Sequence, residues 1–337
     1  MNNSLAEKPM DSVEKINAAS AINSNSEIAV DLPKSSSKHI NFSKQVSLNM
    51  PQMAFSGISE NWLLKEFGDI HWRMICDGLE TTSNKIVDSS GNRLYASFVR
   101  IRFESSHPLQ SYCENDHLNF EGKITQNGSK MFLSQISMDD GFKKNNASLM
   151  TVFVTRITDN KSLTKSSPVN IGKSKIKIVN AMPDFGKEYV KIKSEAFKNS
   201  DKPENQEIQL GKEYFQLNHN NIFSMDYRID PYNDLNGVNL LYFASYPKIN
   251  DICEREYFNA LRDETEKNDD WALSTSVICR DVFYYGNCDI NDEITFVLNN
   301  YEFLDNYQIK LSSSLIRKKD NFPIATLFTI KQLLGFR

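Results

Sequence analysis

An α+β fold of two similar halves, each a long apolar helix wrapped by an antiparallel sheet, is what this 337-residue sequence predicts. Three observations carry that prediction. First, FSKQVSLNMPQMAFSGISENWLLKEFG (42–68) aligns with IFSMDYRIDPYNDLNGVNLLYFASYP (222–247) at a shift of 180 residues. Pro51 then falls on Pro231, Gly57 on Gly237, Ile58 on Val238 and Trp62 on Tyr242. Second, each block is followed by four strand-like runs. They are LYASFVRIRF, HLNFEGKITQ, KMFLSQISM and SLMTVFVTRI, then WALSTSVICRDVFYY, DEITFVLNNYEF, YQIKLSSSLIRK and IATLFTIKQL. Their β-branched and aromatic residues often alternate with polar ones, and Gly, Asn and Asp separate the runs. Third, the first helix is apolar on most sides, through Trp62, Leu63, Leu64, Phe67, Ile70, Trp72 and Ile75. Such a helix is hidden only inside a curved sheet. One helix swaddled by antiparallel strands is a hot-dog, and two copies in one chain make a double hot-dog.

Taken in order, residues 1–40 are rich in Ser, Asn, Ala and Lys and read as disordered, because so few large apolar groups cannot offset the ordering entropy. Residues 41–157 form the first hot-dog. Residues 158–218, polar and lysine-rich, read as a connection, with VNIGKSKIKIVNAM a short strand inside it. Residues 219–337 form the second hot-dog. The helix of that half is expected over the apolar run Leu240, Leu241, Tyr242, Phe243 and Tyr246, entered through the turn residues Asn233–Gly237. A chain that already holds two hot-dogs contains the pairing that single ones reach by dimerising. A monomer is therefore the default, and a dimer the other expectation.

With a formal net charge of -4 there is no basic footprint for nucleic acid. No apolar run reaches the ~18 residues that span a bilayer. The first twenty residues lack the basic-then-apolar order of a secretory signal. Five scattered cysteines (76, 113, 253, 279 and 288), with no CxxC pair, imply reduced thiols and a cytoplasmic protein. The five histidines show no metal spacing, so no metal is expected.

DPYNDLNGVNLLYFASYPKINDICEREYF resembles the helix-entry segment of hot-dog acyl-CoA thioesterases of the 4-hydroxybenzoyl-CoA type: Asp, two residues, Gly, then an aromatic-rich helix with a Tyr. The resemblance makes Asp234 the nucleophile or general base, with Gly237 and Tyr242 beside the substrate. Read from the residues alone, Asp234 equally caps a helix. MPQMAFSGISENWLLKEFGDIHW, GNRLYASFVRIR and RDVFYYGNCDINDE resemble segments of the double hot-dog acyltransferase/decarboxylases of polyketide biosynthesis, the leinamycin-pathway type. That likeness implies an enzyme that takes a malonyl-type CoA thioester (methylmalonyl-CoA), releases CO2 and delivers propionyl to a phosphopantetheinylated acyl carrier protein. Such chemistry calls for no bound organic cofactor. A plain acyl-CoA or acyl-ACP thioesterase or a dehydratase on the same scaffold is the alternative, and a non-catalytic double hot-dog that binds acyl carrier protein is another.

By the same resemblance Tyr95 is the active-site tyrosine. A phenol is a poor nucleophile without a cation or base beside it. Strand parity puts Arg100 and Arg102 with Leu94 and Ala96, and Tyr95 with Ser97, Val99 and Ile101 on the other face. His71 is an acid–base candidate or a satisfied core histidine. Gly57, Ser59 and Asn61 form the candidate helix-entry loop, where N–H groups favour developing negative charge. Arg280 could receive a phosphate or carboxylate, or make an ion pair, and Asn287 is a turn residue or an oxyanion donor.

Overall fold

A computed structural model of the chain describes residues 40–55, 57–156, 163–198, 207–261 and 270–334. The disorder expected for residues 1–40 therefore lies, apart from Ile40, outside the described residues. In the first half β1 (Asn41–Ser47) leads through the two-residue strands β2 (Met53–Ala54) and β3 (Gly57–Ile58) into α1 (Glu60–Gly78). Then follow β4 (Leu94–Ser105), β5 (His117–Asn127), β6 (Met131–Asp139) and β7 (Lys144–Arg156). The connection holds β8 (Leu163–Lys165), β9 (Lys177–Ile178), α2 (Asp184–Ala196), β10 (Glu207–Leu210) and β11 (Glu213–Gln216). The second half has β12 (Phe223–Arg228), α3 (Ser245–Ala260), β13 (Thr275–Tyr284), β14 (Glu293–Leu304), β15 (Gln308–Arg317) and β16 (Phe322–Leu333).

One sheet carries both halves, in the order β1-β5-β6-β7-β4-β13-β16-β15-β14-β12. Counted inward from either edge, the corresponding strands of the two halves appear in the same sequence. The halves meet at the antiparallel pair β4–β13, with Glu104 opposite Cys279 and Arg100 opposite Phe283. α1 lies against β1, β5, β6 and β7, and α3 against β12, β14 and β15. This is the double hot-dog that the strand–helix–meander repeat predicts.

The two helices do not start 180 residues apart, as the repeat suggested, but at Glu60 and Ser245. The run from Leu240 to Phe243 is not helical. Leu235 bridges Leu241, Asn239 turns with a positive φ, and α3 begins only after Ala244. The Asn236 carboxamide accepts from the Val238 and Leu240 backbone N–H groups and holds the loop out of the helix.

Burial patterns show which face of the sheet is covered. β5 alternates, with Leu118, Phe120 and Ile124 turned to α1 and their neighbours exposed, as in a strand with one wet face. β13 is buried almost throughout, because its outer face is covered too. The cover comes from the segment that sequence composition assigned to a linker. Tyr189 and Ile192 of α2, with Ile208, Leu210, Phe215 and Leu217 at the β10–β11 hairpin, pack on Phe283, Phe328 and Ile330. A minority of apolar residues, spaced to one side of α2, suffices for this, and their neighbours are polar enough to read as loop.

A bulge in β4 between Phe98 and Arg100 reverses the expected facing of its second half. Ile101 and Phe103 join the inner core, while Val99 packs outside and Arg100 reaches toward α2. There the Arg100 guanidinium meets the Asp281 carboxylate in two hydrogen bonds (Nε–Oδ1 3.0 Å, Nη2–Oδ2 2.7 Å). It also donates to the Phe185 carbonyl and to Glu188 of α2. Cys253, Cys279 and Cys288 are unpaired buried thiols, each pushed up to about 12 by burial, so they stay protonated. Among the described residues no helix is long and apolar enough to cross a membrane.

His71 is fully buried between α1 and the sheet, with Nδ1 2.5 Å from Ser134 Oγ and Nε2 2.7 Å from Thr151 Oγ1. Burial lowers its pKa from 6.5 to about 3. Between those values the unfolded chain binds a proton that the folded chain refuses. Stability is therefore full above pH 6.5 and falls as the pH drops toward 3. The slope due to this group is at most about 1.4 kcal/mol per pH unit. Urea unfolding of the wild type and His71→Gln across this range should show that component only in the wild type. On the outer face, Arg100→Leu takes from Asp281 its two-pronged partner but leaves it Arg102 (Nε–Oδ2 2.8 Å), and should lower stability by less than the roughly 3–5 kcal/mol of an unpaired buried charge in the same assay.

Candidate active site

The starts of the two long helices are tied together. Asn61 Nδ2 donates to the Ala244 carbonyl at 2.9 Å, joining the first turn of α1 to the residue before α3. Ser59 caps α1, its hydroxyl accepting from the Trp62 N–H at 3.3 Å. Gly57 supplies the left-handed backbone (φ +96°) that brings β3 against the turn at Leu109–Ser111; a Cβ there would lie 2.5 Å from Gln110 Cα. These features leave a cavity of about 270 Å³ at the N-terminus of α1. Ala54, Phe55, Ile58 and Leu64 form one wall, and Pro247, Ile252, Trp271 and Val277 the other. Trp271 is held by stacking on Phe258 at 3.9 Å and by its indole N–H, which donates to Glu254 at 2.7 Å.

Charge enters this cavity from a buried network. Arg280, on β13, is 1% exposed. Its Nη2 donates to Glu60 Oε2 at 3.0 Å and to Asp251 Oδ2 at 2.9 Å, and its Nη1 to Thr329 Oγ1 at 3.3 Å. Nε lies 2.7 Å from Glu60 Oε1, close enough for an ion pair though not aligned as a hydrogen bond. Lys331, on β16, pairs with Asp251 at 3.0 Å and with Glu254 at 2.7 Å. Glu60, Asp251 and Lys331 line the cavity. The cluster thus sets three carboxylates against two cations.

Burial and unequal shares of the two cations separate the acids. Burial raises the Glu60 pKa above its ordinary 4.5, and the one arginine it shares with Asp251 does not cancel the effect. Burial pushes Asp251 the same way, but Arg280 and Lys331 together overcome it and hold that carboxyl below 3.8. A carboxyl that retains its proton more readily and one that gives it up sit on the same arginine. Glu60 also stands in the first turn of α1, where the N–H groups have no intrahelical carbonyl to bond.

The sequence-derived candidates divide into those that this cavity gathers and those that it does not. Of Gly57, Ser59 and Asn61, only Asn61 lines it; Gly57 and Ser59 sit next to its lining residues Ile58 and Glu60. Arg280 is near it, but committed to Glu60 and Asp251 rather than open to a phosphate. Asp234 is fully buried in the turn before α3. It accepts from the Tyr227 hydroxyl (2.9 Å) and the Asp230 N–H (2.7 Å) and pairs with Lys248 at 2.5 Å. It does not cap α3, whose preceding residue is Ala244. Gly237 is exposed in the same loop, and the Lys65 ammonium lies over the Tyr242 ring at 5.2 Å. Asn287 accepts from the Leu241 and Cys288 N–H groups and serves the turn. Tyr95 lies on the opposite side of β4 from Leu94 and Ala96, with Arg93 over its ring at 5.0 Å. Tyr95, His71 and Asp234 have separate sets of partners and do not converge.

Sequence reasoning did not single out Glu60, Asp251, Glu254 or Lys331 as site residues. The i, i+3 spacing of Asp251 and Glu254 on an apolar helix was the one available signal; their cations come from strands with no sequence mark of pairing. A second cavity, of about 310 Å³, lies under the β10–β11 hairpin, where Lys310 is paired with Glu302 at 2.8 Å.

No protein-family model matches the sequence, and no curated protein matches it. Among solved structures, the chain is similar to a putative oleoyl thioesterase from Lactobacillus plantarum, at 11% identity over 88% of this chain and 97% of that one, with a TM-score of 0.58. It is similar to the 12:0-ACP thioesterase from Umbellularia californica at 10% identity, over 87% of this chain and 98% of that one, with a TM-score of 0.56. At such identities the likeness carries the fold, and the fold is the double hot-dog.

Proposed function

We propose that this chain hydrolyses acyl thioesters of coenzyme A or of a phosphopantetheinylated carrier protein, in the cavity at the start of α1, with Glu60 as general base. The observation that carries the reading is a carboxyl of raised pKa, in the first turn of α1, that lines a cavity with largely apolar walls. The two similar structures, each named as a thioesterase, support the same chemistry.

In this reading the thioester carbonyl lies at the first turn of α1. Its oxygen, which becomes an oxyanion, is favoured by the helix N–H groups and dipole. Glu60 takes a proton from water as the water oxygen bonds to the carbonyl carbon. Collapse of the tetrahedral intermediate breaks the C–S bond, and Glu60 returns the proton to the thiolate. The products are the free acid and the thiol. Arg280 and Asp251 position Glu60, and no metal or bound cofactor takes part.

Decarboxylative transfer to a carrier protein, implied by the polyketide resemblance, has less support. A malonyl-type substrate brings its own carboxylate, and the cavity's cations are already matched: Arg280 and Lys331 in the network, Lys248 with Asp234, Arg255 with Asp270. Tyr95 lies on the far face of its strand.

Mass spectrometry of reactions with acyl-CoA and methylmalonyl-CoA, each with and without a loaded carrier, tests this directly. Free acid and thiol are expected, and a carrier heavier by propionyl would overturn the reading. Glu60→Gln should lower kcat/KM by about 10²–10⁴-fold with the fold intact. Tyr95→Phe should leave hydrolysis unchanged, and loss of turnover in that variant would favour transfer. In the wild type, kcat/KM should fall on the acid side through a group titrating above 4.5, because protonated Glu60 cannot accept a proton.

A further inference from the structure

On α1, Asn61, Leu64, Gly68 and His71 follow one another along one face, at spacings of three and four residues. The first two line the cavity. One turn beyond Leu64 the wall is missing, because position 68 has no side chain. The gap is filled by Phe243: a Cβ on Gly68 would lie 2.5 Å from its Cζ. The same ring rests on Phe98, centroid to centroid 4.2 Å, and on Tyr242 at 4.7 Å. Phe98 in turn leans on His71 at 5.6 Å. Glycine inside a helix is unfavourable, so its presence needs a packing reason, and the ring of Phe243 is that reason.

Phe243 belongs to no helix or strand. It sits at the end of the irregular loop whose next residue, Ala244, lines the cavity and accepts from Asn61. An aromatic ring is thus inserted from a loop into a notch in the neighbouring helix, one turn past Leu64 and next to Ala244; these two line the cavity, and Phe243 stands behind them rather than on its surface. The remaining cavity, about 270 Å³, falls below the usual range of small-molecule pockets.

We propose that Phe243, seated in the Gly68 notch, is the wall that ends the acyl pocket and restricts the chain to short acyl groups. This rests on the thioester-binding reading above and names its substrate class. Removing the ring would leave apolar space behind Leu64 and Ala244, into which the pocket is expected to extend, and such space accepts an apolar guest more readily than water.

The test measures binding of butyryl-, octanoyl- and dodecanoyl-CoA by calorimetry, with hydrolysis followed separately by thiol release, for the wild type, Phe243→Ala and Phe243→Leu. The wild type should favour butyryl-CoA. Phe243→Ala should shift the butyryl-to-dodecanoyl preference by about tenfold or more toward the longer chain, and Phe243→Leu less. If Phe243→Ala does not fold, as thermal unfolding will show, Phe243→Leu carries the comparison. A wild type that already binds dodecanoyl-CoA as tightly, or a preference that neither variant moves, overturns the proposal. The expected shift in binding with no thiol released by any form would leave the wall in place and remove the hydrolase reading instead. No binding of any acyl-CoA to the wild type removes both.

Discussion

Much of this molecule hangs on the difficulty of hiding a guanidinium. Arg280 is almost wholly removed from water, and a buried cation is tolerable only when its donors are filled. Filling them brings Glu60 from the start of α1, Asp251 from the second turn of α3 and Thr329 from β16 onto one side chain of β13. The positions of both long helices, relative to each other and to the second half-sheet, follow from that requirement. The cavity lies beside this network, with Glu60, Asp251 and Lys331 among its lining residues. Burial raises both acids, and the difference between Glu60 and Asp251 follows from the second cation, Lys331, which pairs with Asp251.

The general architecture was readable because it depends on periodicity. Alternation in the strands, the apolar helix and the repeated order of elements all survive in a single sequence. What was lost depended on single residues or on long-range partners. One extra residue in β4, at Val99, turned Arg100 outward and reversed a parity argument that was sound for a regular strand. The Asn236 side chain kept an apolar run out of the helix that its composition suggested. The α2 segment looked like a linker because a helix packed through one narrow side needs few apolar residues, and its lysines dominate the count.

The candidate site was legible only at its loop. Gly57, Ser59 and Asn61 were visible as helix-entry residues, and their positions follow from local backbone rules. Asp234 had the right residue type at a persuasive spacing, yet its carboxylate is used by Tyr227, Asp230 and Lys248 to organise a turn. Spacing alone does not distinguish a carboxylate that holds a loop from one that faces a cavity. The charges that matter come from Asp251, Arg280 and Lys331, and only the sheet pairing of β13 with β16 brings the two cations together.

The β4–β13 seam has a consequence for the order in which the chain can assemble. Arg100 and Asp281, which face each other across it, are 181 residues apart in sequence. A chain emerging from the ribosome can complete the first half-sheet, helix included, long before β13 exists. During that interval β4 is an open strand edge, with unpaired backbone groups along its outer side and an arginine waiting for its carboxylate. Another nascent copy offers the same edge, and a finished β13 from a neighbouring chain would fit it as well as its own. The seam that joins the two halves of one chain is therefore also the place where two chains could exchange halves.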